Sequence, residues 1–243
     1  MLYLVGLGIW DEGDISPKGI ETCRKCSRVY AEFYTSAWGG NIKKLEKIIR
    51  KPIKVLGRHD LEERSLRLVR EAKTKDIAIL VPGDPLSATT HSSLMDGAMK
   101  TKVRVEVIHS SSVFTSVAET GLSLYNFGKT VTVVAPSKGY KPESFYDTIR
   151  ENMSKGMHSL ILLDIRMSVQ EGLKVLMDIE RKRRQKVLMP RRKIVVASSM
   201  GSSRKIISYG TVLELSEGDF PPPAVIIIPG KINFFEKEFL EKL

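Results

Sequence analysis

The chain has two cysteines among 243 residues, two tryptophans and 7% aromatic residues. Two cysteines cannot staple a fold of this size, so a reducing, cytoplasmic setting is the expectation. No apolar run approaches the roughly 18 residues that a membrane span requires. The N-terminus, MLYLVGLGIWDEGD, has no basic leader and turns acidic straight after its apolar run. It reads as a first strand, not as a targeting segment. There is no repeat period and no low-complexity tract. Acidic residues are also short: 39 Lys and Arg stand against 28 Asp and Glu, a formal net charge of +11. That excess favours anionic partners or solvates helix faces. Its densest part is RKRRQKVLMPRRK, Arg181 to Lys193. No aromatic residue interrupts it to stack on bases, so it argues only weakly for nucleic acid.

Several motifs are missing too. Gly6-x-Gly8 lacks the third glycine of a dinucleotide fingerprint, because Asp11 stands there. Gly8-x4-Gly13 is followed by Asp14 where a phosphate-binding loop needs lysine. No serine lies in a G-x-S-x-G elbow. The four histidines have no HxxxH spacing. Cys23-x-x-Cys26 has no second pair to complete four ligands. We therefore expect no metal, and expect both cysteines to pack as small apolar residues.

What is present is an alternation of short apolar runs with helical patterns. LYLVGLG, RVYAEFY, IKVL, IAILVPG and VRVEVI are strand candidates in the first half. TVTVVA, SLILLDI, KIVVASSM, TVLELS and AVIIIPG are those of the second. Many are apolar at consecutive positions, as strands covered on both faces must be. Helix starts are legible at Ser16-Pro17, at Asn41, at Asp60 with Glu63 in capping-box spacing before one helical stripe of Leu61, Leu68, Val69 and Ala72, and at Lys141-Pro142-Glu143-Ser144; a longer helix is expected over 169–184. The alternation predicts an α/β fold with mainly parallel or mixed sheet. Ten strands suit two domains, 1–110 and 111–243.

In open α/β sheets ligands gather beyond the carboxyl ends of strands. Three such ends stand out: GLGIWDEGDIS (6–16), LVPGDPLSATTH (80–91) and HSSSVFTSVAETG (109–121). The acids of the first would repel a pyrophosphate and suit a ligand that is cationic or uncharged nearby. In the second, Pro82 and Pro85 stiffen a turn around Gly83 and Asp84. Asp84 there either accepts hydrogen bonds from a ligand or caps a helix, with Ser87, Thr89 and Thr90 as further caps. The serines of the third read as caps.

Taken together, LYLVGLGIWDEGDIS, AEFYTS (31–36), PGDPLSATTH and IIIPGK resemble the diphthine synthases of archaea. These form a branch of the tetrapyrrole methylase-like (class III) S-adenosylmethionine-dependent methyltransferases. The resemblance implies two α/β domains with S-adenosylmethionine in a cleft between them, and a homodimer. It implies methylation of the amino group of a modified histidine, 2-(3-carboxy-3-aminopropyl)-histidine, on translation elongation factor 2, with no need for membrane or nucleic acid. Matched motif by motif, it assigns donor contacts to Ile9, Asp84, Ser87, Ser112, Val113, Leu163, Met200 and Ala224. No catalytic base is named by it. The rival readings are another class III enzyme acting on a tetrapyrrole or ribosomal RNA, and a basic RNA-binding protein without chemistry.

Overall fold

The computed structural model describes residues 1–137 and 139–243, which divide into two compact units, Met1–Ser116 and Val117–Leu243. The first unit holds strands β1 (Leu2–Gly6), β2 (Arg28–Glu32), β3 (Ile53–Leu56), β4 (Ile77–Val81) and β5 (Val105–Ile108). Its helices are α1 (Pro17–Lys25), α2 (Ile42–Ile49), α3 (Arg58–Glu62), α4 (Ser65–Glu71), α5 (Ser92–Lys100) and the short α6 (Val113–Ser116). All strand pairs are parallel, in the order β3-β2-β4-β1-β5.

Strand periodicity splits the core of this unit in two. On central β4, Ile77, Ile79 and Val81 face one apolar cluster, whereas Ala78 and Leu80 face the other. Leu61, Leu68, Val69, Leu94 and Ala98 of α3 to α5 complete the first cluster. Cys23, Leu45 and Ile49 of α1 and α2 complete the second. Burial on both faces is what continuous apolar strands require.

Two helix starts behave as expected. Ser16 accepts from the Gly19 amide with Pro17 at the first helical position, and Asn41 accepts from the Lys43 and Lys44 amides. The third start differs. Gly57 is the cap of α3, and Asp60 serves from the third helical position by accepting the Gly57 amide at 3.0 Å. The expected single helix is also interrupted, yet Leu61, Leu68, Val69 and Ala72 are all buried as one stripe.

Cys23 and Cys26 lie in the second cluster with no exposed surface, and burial pushes their thiols up to about 12 and about 11. They are inert packing groups. The double substitution to alanine is expected to cost roughly 1–3 kcal/mol of stability by denaturant titration and to leave turnover of the folded protein unchanged. Loss of turnover in a fully folded variant would refute this role.

The second unit holds β6 (Val131–Val133), β7 (Ser159–Leu163), β8 (Lys193–Ser198), β9 (Ile206–Thr211) and β10 (Ala224–Ile228). Its helices are α7 (Ser144–Ser154), α8 (Val169–Arg183), α9 (Val212–Ser216) and α10 (Phe234–Leu240). The sheet is mixed, β6-β7-β10-β8-β9, with only β6 and β7 parallel. Tyr146, Ile149, Leu173 and Leu176 from α7 and α8 pack on Ile161, Ile194, Val196 and Ile226.

One strand expectation is overturned here. TVLELS is not a strand: the strand is the preceding IISYGT, and Val212 opens a helix. Thr211 caps it, accepting the Glu214 amide at 3.2 Å while the Glu214 carboxylate accepts the Thr211 amide at 2.7 Å. The Thr-x-x-Glu box outweighs the strand-like alternation of Val-Leu-Glu-Leu. No described helix is long and apolar enough to cross a membrane.

Candidate functional site

The parallel register of the first unit brings its strand ends to one edge, because Gly6 lies beside Val81 and Val5 beside Ile108. The turns beyond β1 and β4 are then bonded to each other. The Leu7 amide donates to Val81 O at 2.8 Å, and Gly8 and Gly83 exchange amide bonds of 3.2 and 2.8 Å. Both glycines are left-handed, with φ of +84° and +71°. A side chain on Gly8 would also place its Cβ 2.3 Å from that of Asp14. Gly8 is required by its φ and by the crowding of Asp14, and Gly83 by its φ alone, since a Cβ there would lie 3.9 Å from its nearest neighbour.

Asp84 joins a third segment, the one after β5, to the β4 turn. One carboxylate oxygen accepts from the Leu86 amide at 3.0 Å and the Ser87 hydroxyl at 3.3 Å. The other meets His109 Nδ1 at 2.7 Å and accepts the Ser110 amide at 3.2 Å. Burial pushes the Asp84 carboxyl up, but the Leu86 amide, His109 and the Ser110 amide outweigh it and hold the group below its usual range. Asp84 therefore stays ionised and ties the β4 turn to the segment after β5. Ser112, buried beside it, caps α6 by accepting the Phe114 amide, and half-buried Val113 opens that helix. Half-buried Ile9 follows Gly8. Thus Ile9, Asp84, Ser87, Ser112 and Val113 share one edge. Thr89 and Thr90 do not cap α5, whose N-terminal flank is His91.

The acids of the first turn have occupations of their own. Asp14 accepts the Trp10 amide at 2.8 Å, Asp11 the Gly13 amide at 2.8 Å, and Glu12 the Asn41 amide at 2.8 Å. These carboxylates already cap amides that a phosphate-binding turn would leave free. The turn thus suits a ligand without phosphate. S-adenosylmethionine, with a sulfonium, an ammonium and no phosphate, fits that chemistry.

A buried polar cluster sits beside these turns that motif reading did not find. Glu32 ends β2 with no exposed surface and accepts from the Tyr34 and Thr35 amides and, at 2.5 Å, from the Thr35 hydroxyl. His91 Nε2 stands 3.7 Å from Glu32 Oε1, and His91 is 1% exposed. The His91 ring nitrogens and the buried Tyr34 hydroxyl lack well-aligned hydrogen bonds among the described residues, with the Pro85 carbonyl beside His91 and the Thr90 side chain beside Tyr34. The one sequence sign was a glutamate closing an otherwise buried strand, RVYAE.

Burial lowers the His91 pKa from 6.5 to about 4, with the Pro85 carbonyl and the Glu62 charge offsetting only part. Its folded-state pKa is depressed, so above pH 6.5 it is neutral in both states and adds no pH dependence. As pH falls from about 6.5 to about 4 the unfolded chain takes up a proton that the folded chain refuses. Stability should therefore drop by about 3 kcal/mol across that window on account of His91. Denaturant titrations at pH 7.5 and 4.5 are expected to show a smaller drop for His91→Gln than for the parent. Equal drops would mean the ring is solvated.

In the second unit, Leu163 closes β7 and Ala224 opens β10, with Val225 paired to Leu162 and Ala224 to Ser198. Met200, 4% exposed, follows β8 after Ser199, whose φ is +50°. Antiparallel pairing therefore gathers Leu163, Met200 and Ala224 at one end of this sheet. Leu163 and Ala224 are half-buried. Apolar and small side chains there leave backbone groups as the polar contacts for a ligand.

The family model of the Tetrapyrrole (Corrin/Porphyrin) Methylases matches residues 1–213. Diphthine synthase of Methanocaldococcus jannaschii is 41% identical over 253 residues, covering 100% of this chain and 98% of that protein. Diphthine synthase of Methanococcus vannielii is 41% identical over 251 residues, with the same coverage. A crystal structure of a diphthine synthase superimposes with a TM-score of 0.89 at 34% identity, over 99% of this chain and 94% of that one. A solved Entamoeba histolytica chain gives a TM-score of 0.92 at 32% identity, covering 100% and 97%. Such agreement along the whole chain, in sequence and in fold, carries methyltransferase activity with it and implies S-adenosylmethionine as methyl donor. The chain belongs to the tetrapyrrole methylase-like family and, within it, to the diphthine synthases.

Proposed function

We propose that the protein is a diphthine synthase in activity as well as in family, a cytoplasmic homodimer. It methylates the amino group of 2-(3-carboxy-3-aminopropyl)-histidine on translation elongation factor 2. The observation that carries this reading is full-length identity of about two residues in five to proteins of that name. When bound, S-adenosylmethionine supplies a methyl group already activated on its sulfonium. Ile9, Asp84, Ser87, Ser112 and Val113 of the first unit, with Leu163, Met200 and Ala224 of the second, would hold it. Asp84 acts by keeping the β4 turn and the segment after β5 in register. The half-buried and small groups around it give backbone contacts and limit water. Holding the reactants in line is the chief task, an effect worth about 7 kcal/mol or more in favourable cases. The acceptor amine reacts unprotonated, and partial desolvation by such surroundings lowers its pKa.

The test is mass spectrometry of elongation factor 2 bearing the precursor histidine, after incubation with protein and donor. Methyl groups on that histidine amine are the expected result. An unmethylated histidine, with donor binding intact by calorimetry, would sink the assignment.

A further inference from the structure

The basic stretch 181–193 divides into two halves of different character. In the first half three charges are neutralised by neighbouring acids, while Arg184 and Lys186 form no ion pair among the described residues. Arg181 pairs with Asp178, Lys182 with Glu143 at 3.0 Å, and Arg183 with Asp147 at 2.5 Å and Glu143 at 3.5 Å. Arg183 also lies over the Tyr146 ring at 4.8 Å. Lys182 and Arg183 fasten α8 to α7, whereas the Arg181 pair stays within α8. The second half is different: among the described residues, Arg191, Arg192 and Lys193 form no ion pair.

These three cations line a cleft of about 460 Å³ with Met189, Tyr209 and Ile232. Its floor is fixed by the backbone. The Arg192 amide donates to Met189 O at 2.9 Å, and Arg192 O and Pro190 O accept the Val212 and Leu213 amides at 2.9 and 3.1 Å. Arg192 donates one Nη2 bond to Lys186 O at 3.1 Å, while its buried Nε has no partner among the described residues. Lys193 Nζ sits 4.9 Å from the centre of the Tyr209 ring. The nearby acids are Glu214, already committed to capping α9, and Glu241, which pairs with Lys237 at 3.8 Å.

Two guanidinium groups and an ammonium, none of them in an ion pair among the described residues and only Lys193 within the field of a carboxylate, that of Glu214, make a site for oxyanions. The Tyr209 face is occupied by Lys193, and no other aromatic ring lines the cleft. A nucleobase would find no free platform to stack on, which favours carboxylates on a protein over RNA. The cleft is at the Lys193 end of β8, whereas Met200 lies past its other end. Six residues of strand separate the ends by about 20 Å.

We propose that this cleft docks an acidic segment of the protein substrate, at the opposite end of β8 from Met200. The proposal rests on the reading of the protein as an enzyme acting on another protein. Docking there strengthens encounter and affinity without touching the reacting atoms. It therefore acts on the Michaelis constant for the protein substrate and not on that for the donor. Its electrostatic part weakens as salt shortens the screening length from about 10 Å at 0.1 M to about 3 Å at 1 M.

The test compares the parent with Arg191→Glu/Lys193→Glu, two exposed positions, leaving half-buried Arg192 in place. Methyl transfer to elongation factor 2 is measured at rising salt. In parallel, binding of a fluorescent oligoglutamate peptide and of a single-stranded oligonucleotide is measured directly. The variant is expected to raise the KM for elongation factor 2 about tenfold, equivalent to about 1.4 kcal/mol. It should also flatten the salt dependence, keep kcat and donor KM within about twofold, and lose peptide binding. An unchanged KM and salt slope, or tighter binding of the oligonucleotide than of the peptide, would overturn the proposal. Should the parent fail to methylate elongation factor 2 at all, the functional assignment falls separately. Peptide binding then decides: its loss in the variant keeps the cleft as an acidic-peptide site, and its retention ends it.

Discussion

Replacing Asp84 by asparagine is expected to weaken S-adenosylmethionine binding by about ten- to a hundredfold while the protein remains folded. The carboxylate accepts from Leu86, Ser87 and Ser110 and pairs with His109, all within its own unit. A carboxamide has one accepting oxygen, so its NH2 must face either the Leu86 side or the Ser110 side, where a donor already points. Losing a charge-assisted bond and leaving one amide unmatched costs about 1.5–3 kcal/mol, the origin of the expected range in affinity. The loss falls on the registry between the β4 turn and the segment after β5, which is where Ser87 and Ser112 are placed. Calorimetric titration with the donor, beside a denaturation curve, separates the two effects. Parent-like affinity in the variant would reduce Asp84 to a turn cap with no bearing on the ligand.

The largest loss of stability is expected at Glu180→Ala. Glu180, 6% exposed on α8, accepts from the Tyr146 hydroxyl at 2.7 Å and from the amides of Lys186, Val187 and Leu188 at 2.7, 2.6 and 3.0 Å. Burial pushes its carboxyl up, but these four donors, led by the Leu188 amide and the Tyr146 hydroxyl, hold it below the usual range. Truncation leaves three amides and a phenol without an acceptor, a cost of about 4 kcal/mol or more. Glu180→Gln keeps the shape and should cost about half as much. The sign of the pH effect follows from the depressed pKa. Its stabilisation is present above the unfolded carboxylate value and is lost as pH falls through the folded one. Denaturant titration at pH 7 and in acid should show the parent and Glu180→Gln converging at low pH. A substitution that left the pH 7 midpoint unmoved would show that water replaces the carboxylate at no cost.

Much of this protein was legible without coordinates. Apolar runs such as IAILV and AVIII mark central strands because a residue-by-residue apolar strand is stable only with both faces covered. Ser16-Pro17 and Asn41 mark helix starts because capping is local chemistry. Four ordered motifs resemble those of the family, and two of them hold the β1 and β4 strand-end turns that bond to each other. Where local signals competed, sequence reading erred. At TVLELS the alternation suggested a strand, and the capping box made a helix. At Asp60 the spacing to Glu63 suggested a cap, and the carboxylate instead serves Gly57 from inside the helix.

Other properties were decided only by tertiary structure, since each depends on residues far apart in the chain. In sequence Asp84 reads as a ligand contact or a cap, and only the tertiary fold brings His109 and Ser110 of the segment after β5 to its second oxygen. Glu32 and His91 are 59 positions apart, and only the pairing of β2 with β4 and the return of the following loop bury them together. Within the basic stretch, Arg183 and Arg191 look alike in sequence. The packing of α8 on α7 supplies acids to the first, and the edge of the second sheet supplies none to the other. Composition determined the charge and periodicity the strands, because both are local. Which charges stay unpaired, and which polar groups are buried, depends on distant neighbours.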